Sequence, residues 1–226
     1  NVCTLYSTIG FAWYRLWARP FVPNIEAIPA AERAYYERFM CTTPHNPNNV
    51  DLSRDVLFRL VEPAQAAKDV ERMDANVWPP LDAAIAILDP LAAAAVEIAR
   101  PGVITDQLVR LKALRCWLET QRNLAAWVAA VYGWMEAADG AAKASHRARL
   151  ADAIDREMEN SRRLQALCDS PVEFMATTDL GESPLIHGRN LKALLATRLA
   201  LMARHKDDEP YIDHDYMMRM AGQVMG

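Results

Sequence analysis

The densest group of side chains that could bind a metal ion lies near the C-terminus, between His205 and Asp215. It combines imidazoles with several carboxylates, and both groups are ligands for divalent cations. The spacing does not match the calcium loop of an EF-hand, and Pro210 interrupts the group. A solvated loop between two helices, with Asp213 as the N-cap of the second, explains the same residues. We therefore predict no metal site, and a stand-alone metalloprotein or hydrolase built on this His205–Asp215 cluster is the alternative.

No catalytic motif accompanies this cluster in the sequence. A di-iron bundle needs Glu-x-x-His pairs on two helices, but no histidine lies three residues after Glu157 or Glu159. The His-Glu-x-x-His zinc motif, the Gly-x-Ser-x-Gly motif of hydrolases and a glycine-rich phosphate loop are also missing from the sequence. A cysteine–histidine pair stays open, because its members need only be neighbours in space. We assign no catalytic residue and no cofactor.

Four residues are weak candidates for binding. Trp13 and Trp17 are four positions apart, so they face one side of a predicted helix, where aromatic rings could stack on sugars. A core or interface stripe explains the same spacing more simply. His45 and His187 lie in predicted loops, where a histidine either lines a site or is simply exposed.

These side chains must be positioned by helices, and the longest helical pattern runs from Ile104 to Asp139. No charged residue occurs between Arg122 and Glu136, so we expect the middle of this helix to be buried nearly all round. The uncharged run is too short to cross a bilayer, which needs about 18 residues. Its apolar residues recur at steps of three and four, the period of one helix face: Leu108, Leu111, Leu114, Trp117, Leu118, Leu124, Trp127, Val128, Val131, Trp134 and Met135.

The composition of the whole chain also favours helices. The 226 residues are 52% hydrophobic and 24% charged, with only 8 glycines, which favours helices over a sheet. We predict an all-α fold in one domain, 1–226: an irregular bundle of roughly eight to ten helices around the central helix. The net charge is −4 and no basic run occurs, so we expect neither nucleic acid nor a membrane as partner.

The four cysteines and the first residues bear on the origin of the chain. Cys116 and Cys168 lie in helical patterns, and we expect buried free thiols, although one disulfide stays open if the protein is exported. The chain begins at Asn1, and its pattern is already apolar from Val2. We therefore expect a C-terminal fragment of a longer chain, in which 1–28 connects to a preceding domain.

Two segments carry a family resemblance. They are Glu159–Leu167 and Gly181–Leu191, the second continuing through Leu199–Met202 to Glu209–Asp213. They resemble the C-terminal helical domain of large bacterial glycoside hydrolases, which is similar in plan to the helical domain that follows the (β/α)₈ barrel in family 67 α-glucuronidases. The resemblance implies a carbohydrate-active parent, a barrel in the same chain as partner, and a periplasmic or secreted location. It transfers no catalytic residue, because the catalytic acids of such enzymes belong to the barrel.

Together these patterns predict a non-catalytic accessory domain of a glycoside hydrolase, which braces the catalytic barrel or mediates a homodimer. Besides the metalloprotein or hydrolase, a helical protein-binding module is the remaining alternative, and it predicts an exposed apolar surface without a sugar-active neighbour.

Overall fold

A computed structural model describes residues 19–24, 27–38, 63–94, 101–170 and 190–211, with only the backbone for 36–38 and 101. This part of the chain is mostly helical and contains no strand, so the all-α prediction is confirmed. The one departure is an isolated parallel bridge between Asn24 and Tyr211, in which the Tyr211 N–H donates to the Pro23 carbonyl at 2.9 Å.

Six helical segments make up the described part: α1 Ala30–Arg38, α2 Pro63–Asn76, α3 Trp78–Ala94, α4 Pro101–Glu136, α5 Gly140–Leu167 and α6 Leu191–His205. Only Val77 separates α2 from α3, and Pro63–Ala94 runs as one helix of 32 residues, which leaves five helices. The predicted eight to ten helices are therefore not supported by the described residues.

Proline positions explain two differences from the predicted boundaries. The Trp78-Pro79-Pro80 run predicts a break in the chain, but it forms the first turn of α3 directly after Val77. The first residues of α3 need no N–H partner within α3, so prolines fit there. The Pro101-Gly102 pair predicts the end of a helix, yet Pro101 is the first residue of α4. Pro90 lies inside α3, where it removes one backbone hydrogen bond.

Helices α4 and α5 form an antiparallel hairpin at the centre of the fold. The turn between them ends at Asp139, whose side chain caps α5 by accepting a hydrogen bond from the Ala142 N–H at 2.8 Å. The sequence predicts that the central helix ends near Gly140, with this glycine at the C′ position, but Gly140 is the first residue of α5. Near this turn an added Cβ at Gly133 would overlap the ring of His146, so glycine permits the close approach of the two helices.

Two clusters of buried apolar side chains hold the helices together. The smaller one joins the first half of α4 to the end of α5 and the start of α6, through Val109, Ala113, Cys116, Leu164, Leu191 and Leu195. The larger one joins the second half of α4 to α2, α5 and α6: Phe21, Ala66, Leu124, Ala125, Trp127, Val128, Ala130, Val131, Tyr132, Leu150, Ala153, Ile154, Met158 and Met202.

The segment 19–23, part of the predicted connecting segment 1–28, lies inside this larger cluster. Phe21 and Val22 are both buried, and the Trp127 Nε1–H donates to the Val22 carbonyl at 3.1 Å. Cys116 is buried and Cys168 half-buried, and both are free thiols, as predicted. Cys3 and Cys41 lie outside the described residues.

By length and composition alone, one described helix, Pro63–Ala94, is apolar enough to cross a membrane. A single helix of this kind is weak evidence for a membrane span, and only 6% of its most apolar 18-residue stretch is buried.

Candidate functional site

The weak binding candidates of the sequence lie outside the described residues. This holds for Trp13, Trp17, His45 and His187, and also for the end of the His205–Asp215 cluster after Tyr211. The described part contains three other groups of functional interest: a buried polar junction, a histidine between two carboxylates, and an exposed apolar helix face.

The first group is a buried polar junction where α4, α5 and α6 meet. At its centre the carboxylate of Glu157 forms an ion pair with Arg198, with 2.7 Å between Oε1 and Nη1, and both side chains are fully buried. We call it the Glu157 junction. Its members are Thr120 and Asn123 of α4, Glu157, Asn160 and Ser161 of α5, and Arg198 of α6.

Hydrogen bonds satisfy both oxygens of the Glu157 carboxylate. Oε1 accepts from the Thr120 hydroxyl at 2.7 Å in addition to Arg198. Oε2 accepts from Nδ2 of Asn123 at 2.9 Å and from Nδ2 of Asn160 at 3.4 Å. The two oxygens of this buried carboxylate therefore have four donors, and all four are protein side chains.

Arg198 extends the junction to the N-terminal segment. Its Nε donates to the Arg19 carbonyl at 2.7 Å, and its Nη1 also donates to the Ser161 hydroxyl. The guanidinium carbon lies 4.9 Å from the centre of the Phe21 ring, a cation–π distance. The junction therefore fixes segment 19–21 against three helices.

This arrangement is suited to holding the fold together. A catalytic or binding carboxylate must reach a ligand, but Glu157 has no exposed surface and its partners are protein groups. The sequence did carry a signal for it. Leu150, Ile154, Glu157 and Leu164 follow one helical stripe, and Leu191, Leu195, Arg198 and Met202 follow another, so each stripe contains one charged residue at a core position.

The second group surrounds His205, the last residue of α6. Its Nε2 lies 2.7 Å from Oε2 of Glu32 on α1, and its Nδ1 lies 2.8 Å from Oδ2 of Asp208 in the following turn. Partial burial lowers the pKa of His205, but the hydrogen bonds to Glu32 and then Asp208 outweigh it, so the pKa lies above its ordinary value.

This geometry bears on the predicted alternative of a metal site. A histidine binds a metal through a ring nitrogen that carries no proton, whereas both nitrogens of His205 already lie at hydrogen-bond distance from carboxylate oxygens. Within the described ranges, up to Tyr211, no group of three or more histidine, cysteine or acidic side chains is arranged to hold an ion.

The third group is an exposed apolar surface on α3. The helix packs on α4 through half-buried Leu81, Ile85 and Leu88, yet none of its residues is fully buried. On the side away from α4 lie only small or apolar residues, and we call this set the α3 outer face: Ala83, Ala86, Ile87, Pro90 and Leu91, all exposed.

Ion pairs fix the rotation of α3 on α4. Oδ1 of Asp82 accepts from Nε of Arg115 at 2.6 Å, and Oδ1 of Asp89 accepts from Nζ of Lys112 at 2.7 Å. Trp78 lies under the Arg115 guanidinium, 5.4 Å from ring centre to Cζ. Asp82 and Asp89 both pair with residues of α4, so no charged residue lies on the α3 outer face. Ile87 is 64% exposed and Leu91, one turn further along the same face, is 42% exposed, so two large apolar side chains lie together on this uncharged surface.

Comparisons of the chain with models of protein families, with curated proteins and with solved structures find no match. The resemblance to the helical domain of glycoside hydrolases therefore stays a prediction.

Proposed function

We propose that this chain is a non-catalytic helical accessory domain that docks through the α3 outer face on the catalytic barrel of a carbohydrate-active enzyme. The observation that carries the docking role is the exposure of Ile87 and Leu91 on a helix whose outer side has no charge. A helix that is apolar on nearly every side is normally buried. The α3 outer face is therefore suited to contact with another surface.

The chemistry of the described residues supports a structural role rather than a catalytic one. The buried carboxylate of Glu157 is used within the fold, and His205 is engaged by two carboxylates. The small side chains of Ala83 and Ala86 would let another helix or strand approach α3 closely. Bracing a neighbouring domain needs such a surface and no reactive group.

The choice of a barrel as the partner comes from the resemblance of Glu159–Leu167 and Gly181–Leu191 to the helical domain of bacterial glycoside hydrolases. The same resemblance carries the bacterial source and the exported location as parts of the proposal. The remaining residues of 1–28 would connect the two domains. The sequence upstream of Asn1 is the direct test, because a barrel with paired acidic residues is expected there.

The docking role is tested with the double variant Ile87→Gln/Leu91→Gln. Both side chains are exposed, so the melting temperature should stay within a few degrees of the parent. Binding to the separately expressed upstream domain, measured by calorimetry, should be lost. The matched control is Ala144→Gln/Ala151→Gln, at exposed positions on α5, which should bind as the parent does.

Three other results would overturn parts of the proposal. A large loss of stability in the Ile87/Leu91 variant would show that this chain itself covers the face. An upstream region without a barrel would favour a protein-binding module. Sedimentation of the isolated chain as a dimer that the same variant dissociates would make a second copy the occupant.

A further inference from the structure

We infer that His205 is a pH-sensitive latch: its protonated ring holds α1 and the 206–211 turn at the C-terminal end of α6, and loss of the proton releases α1. This goes beyond the proposed accessory role and does not depend on it. The inference rests on the position of His205 between Glu32 of α1 and Asp208 of the turn.

The geometry favours a charged ring. An imidazolium has two N–H groups, so it donates to Glu32 and Asp208 at the same time. A neutral imidazole has one N–H, and its other nitrogen then presents a lone pair to a carboxylate. The His205 side chain is 12% exposed, and those of Glu32 and Asp208 are 21% and 29% exposed, so water screens these contacts only in part.

Neighbouring charges favour the same protonated state. His205 ends α6, where the negative end of the helix dipole stabilises a cation. Arg204 also pairs with Glu32, with 2.6 Å between Nη1 and Oε1, but its side chain is 60% exposed. From α5, the Arg147 guanidinium donates to the carbonyls of Asp208 and Lys206 at 2.6 and 3.3 Å.

One more ionic contact lies in this region. Nζ of Lys206 is 3.9 Å from Oδ1 of Asp155 on α5, and both side chains are largely exposed. Histidine is the one side chain whose ordinary pKa lies between about pH 5 and 8, so we assign the pH response of the latch to His205.

Two elements depend on the latch. Helix α1 is held on α6 by the Glu32–His205 contact and by the Tyr35 hydroxyl, which donates to the Leu194 carbonyl at 2.8 Å. The 206–211 turn is also tied to segment 19–24 through the Tyr211–Pro23 hydrogen bond. Deprotonation leaves one ring N–H for two carboxylates and so weakens the Glu32–His205 contact, which is one of three described contacts of α1 with α6, beside Arg204–Glu32 and Tyr35–Leu194. The turn keeps its bonds from Arg147 and Tyr211. Release therefore concerns α1 first.

The direction with pH follows from linkage. Hydrogen bonds to two carboxylates raise the folded-state pKa of His205 above its unfolded value. Its contribution is therefore complete below the unfolded pKa of about 6.5 and disappears as pH rises through the folded pKa. As pH rises from below the unfolded pKa of His205 to above its folded pKa, the equilibrium constant for opening of α1 should rise about tenfold for each unit of difference between the two values.

The test is an NMR titration of the parent chain from pH 5 to 9. The His205 ring should titrate above about pH 6.5, and hydrogen exchange of the α1 amides, corrected for intrinsic rate, should speed up with the same midpoint. Amides of α5 should not follow it. His205→Gln should expose α1 equally at every pH, and Arg204→Gln should keep the pH dependence because the latch residues are intact.

The inference is overturned if the His205 ring titrates at or below its ordinary pKa. It is also overturned if the pH dependence of α1 exchange persists in His205→Gln, or if it vanishes in Arg204→Gln alone. The last result would assign the attachment of α1 to the exposed Arg204–Glu32 pair.

Discussion

Replacing Glu157 by glutamine should strongly destabilise the fold, because it removes the counter-charge of a buried arginine. The two side chains have almost the same shape, so the effect reports the charge rather than a cavity. Breaking a buried ion pair by removing one partner costs about 3–5 kcal/mol. The contact between Glu157 and Arg198 is direct, at 2.7 Å, and neither side chain reaches water.

The remaining partners place the expected cost at the lower end of this range. Arg198 keeps its bonds to the Arg19 carbonyl and the Ser161 hydroxyl, which partly compensate its charge. The new amide group would meet the Nδ2 donor of Asn123, but Asn123 has a buried Oδ1 without a partner among the described residues. Rotation of that amide would restore one bond. We therefore expect a loss of about 3 kcal/mol in the free energy of unfolding.

A double-mutant cycle separates the charge pair from the other bonds. Arg198→Met leaves Glu157 with its donors from Thr120 and Asn123 but without a cation. The double variant Glu157→Gln/Arg198→Met contains no buried charge at the junction. It should therefore cost less than the sum of the two single variants, with an interaction energy of about 0.5–3 kcal/mol.

Urea unfolding followed by far-UV circular dichroism measures these free energies, with the slope checked for each variant. The control is Glu159→Gln, on the same helix, where an exposed carboxylate pairs with Arg162 at 3.3 Å. It should change stability by less than about 1 kcal/mol. If Glu157→Gln costs no more than this control, or if the cycle is additive, the ion pair is not buried as described and the reasoning fails.

Three further predictions concern other parts of the fold. Gly133→Ala should lower stability by about 1–3 kcal/mol because its methyl group overlaps the His146 ring. In a His146→Ala background the same change should raise stability by about 0.5–1 kcal/mol through helix propensity. Thermal melting of the parent, the two single variants and the double variant measures both effects. Burial raises the pKa of the Cys116 thiol to about 12, so at pH 8 a thiol reagent should modify it only after urea is added. The hydrogen bond from Arg122 lowers the pKa of Asp74, so this pair stabilises the fold above the unfolded pKa of Asp74, and the stabilisation is lost as pH falls through the folded pKa. Because Asp74 is exposed, the stabilisation is at most about 1 kcal/mol. Asp74→Asn should remove this small pH dependence in urea titrations.

The central helix shows how far the sequence pattern reaches. Its long unbroken period predicted Ile104–Asp139, and α4 runs from Pro101 to Glu136, so both ends lie three residues earlier. The start was missed because Pro101-Gly102 was interpreted as a stop. Proline both ends helices and begins them, and which of the two applies depends on the neighbouring residues. The period of apolar residues predicts that a helix exists more reliably than it predicts the residues at which the helix begins and ends.

The polar junction was missed for a different reason. Glu157 was considered only as a metal ligand, and the missing histidine three residues later removed it from consideration. Its position on the stripe of Leu150, Ile154 and Leu164 predicts burial, and burial of a carboxylate requires a cation. The sequence could not identify that cation, because Arg198 lies 41 residues away and only packing of α6 brings it to α5.

The placement of polar and apolar groups argues for two separate tasks in this fold. Charged residues at the Glu157 junction lie inside, where they tie α5 and α6 to segment 19–21. The apolar residues Ile87 and Leu91 lie outside, on a helix whose aspartates point along α4. Folding gains little from Ile87 in that position, since burial is what makes an apolar side chain stabilising. Variants of the junction should therefore change stability and leave the proposed docking intact once folded, whereas variants of the α3 outer face should abolish the proposed docking without unfolding the chain.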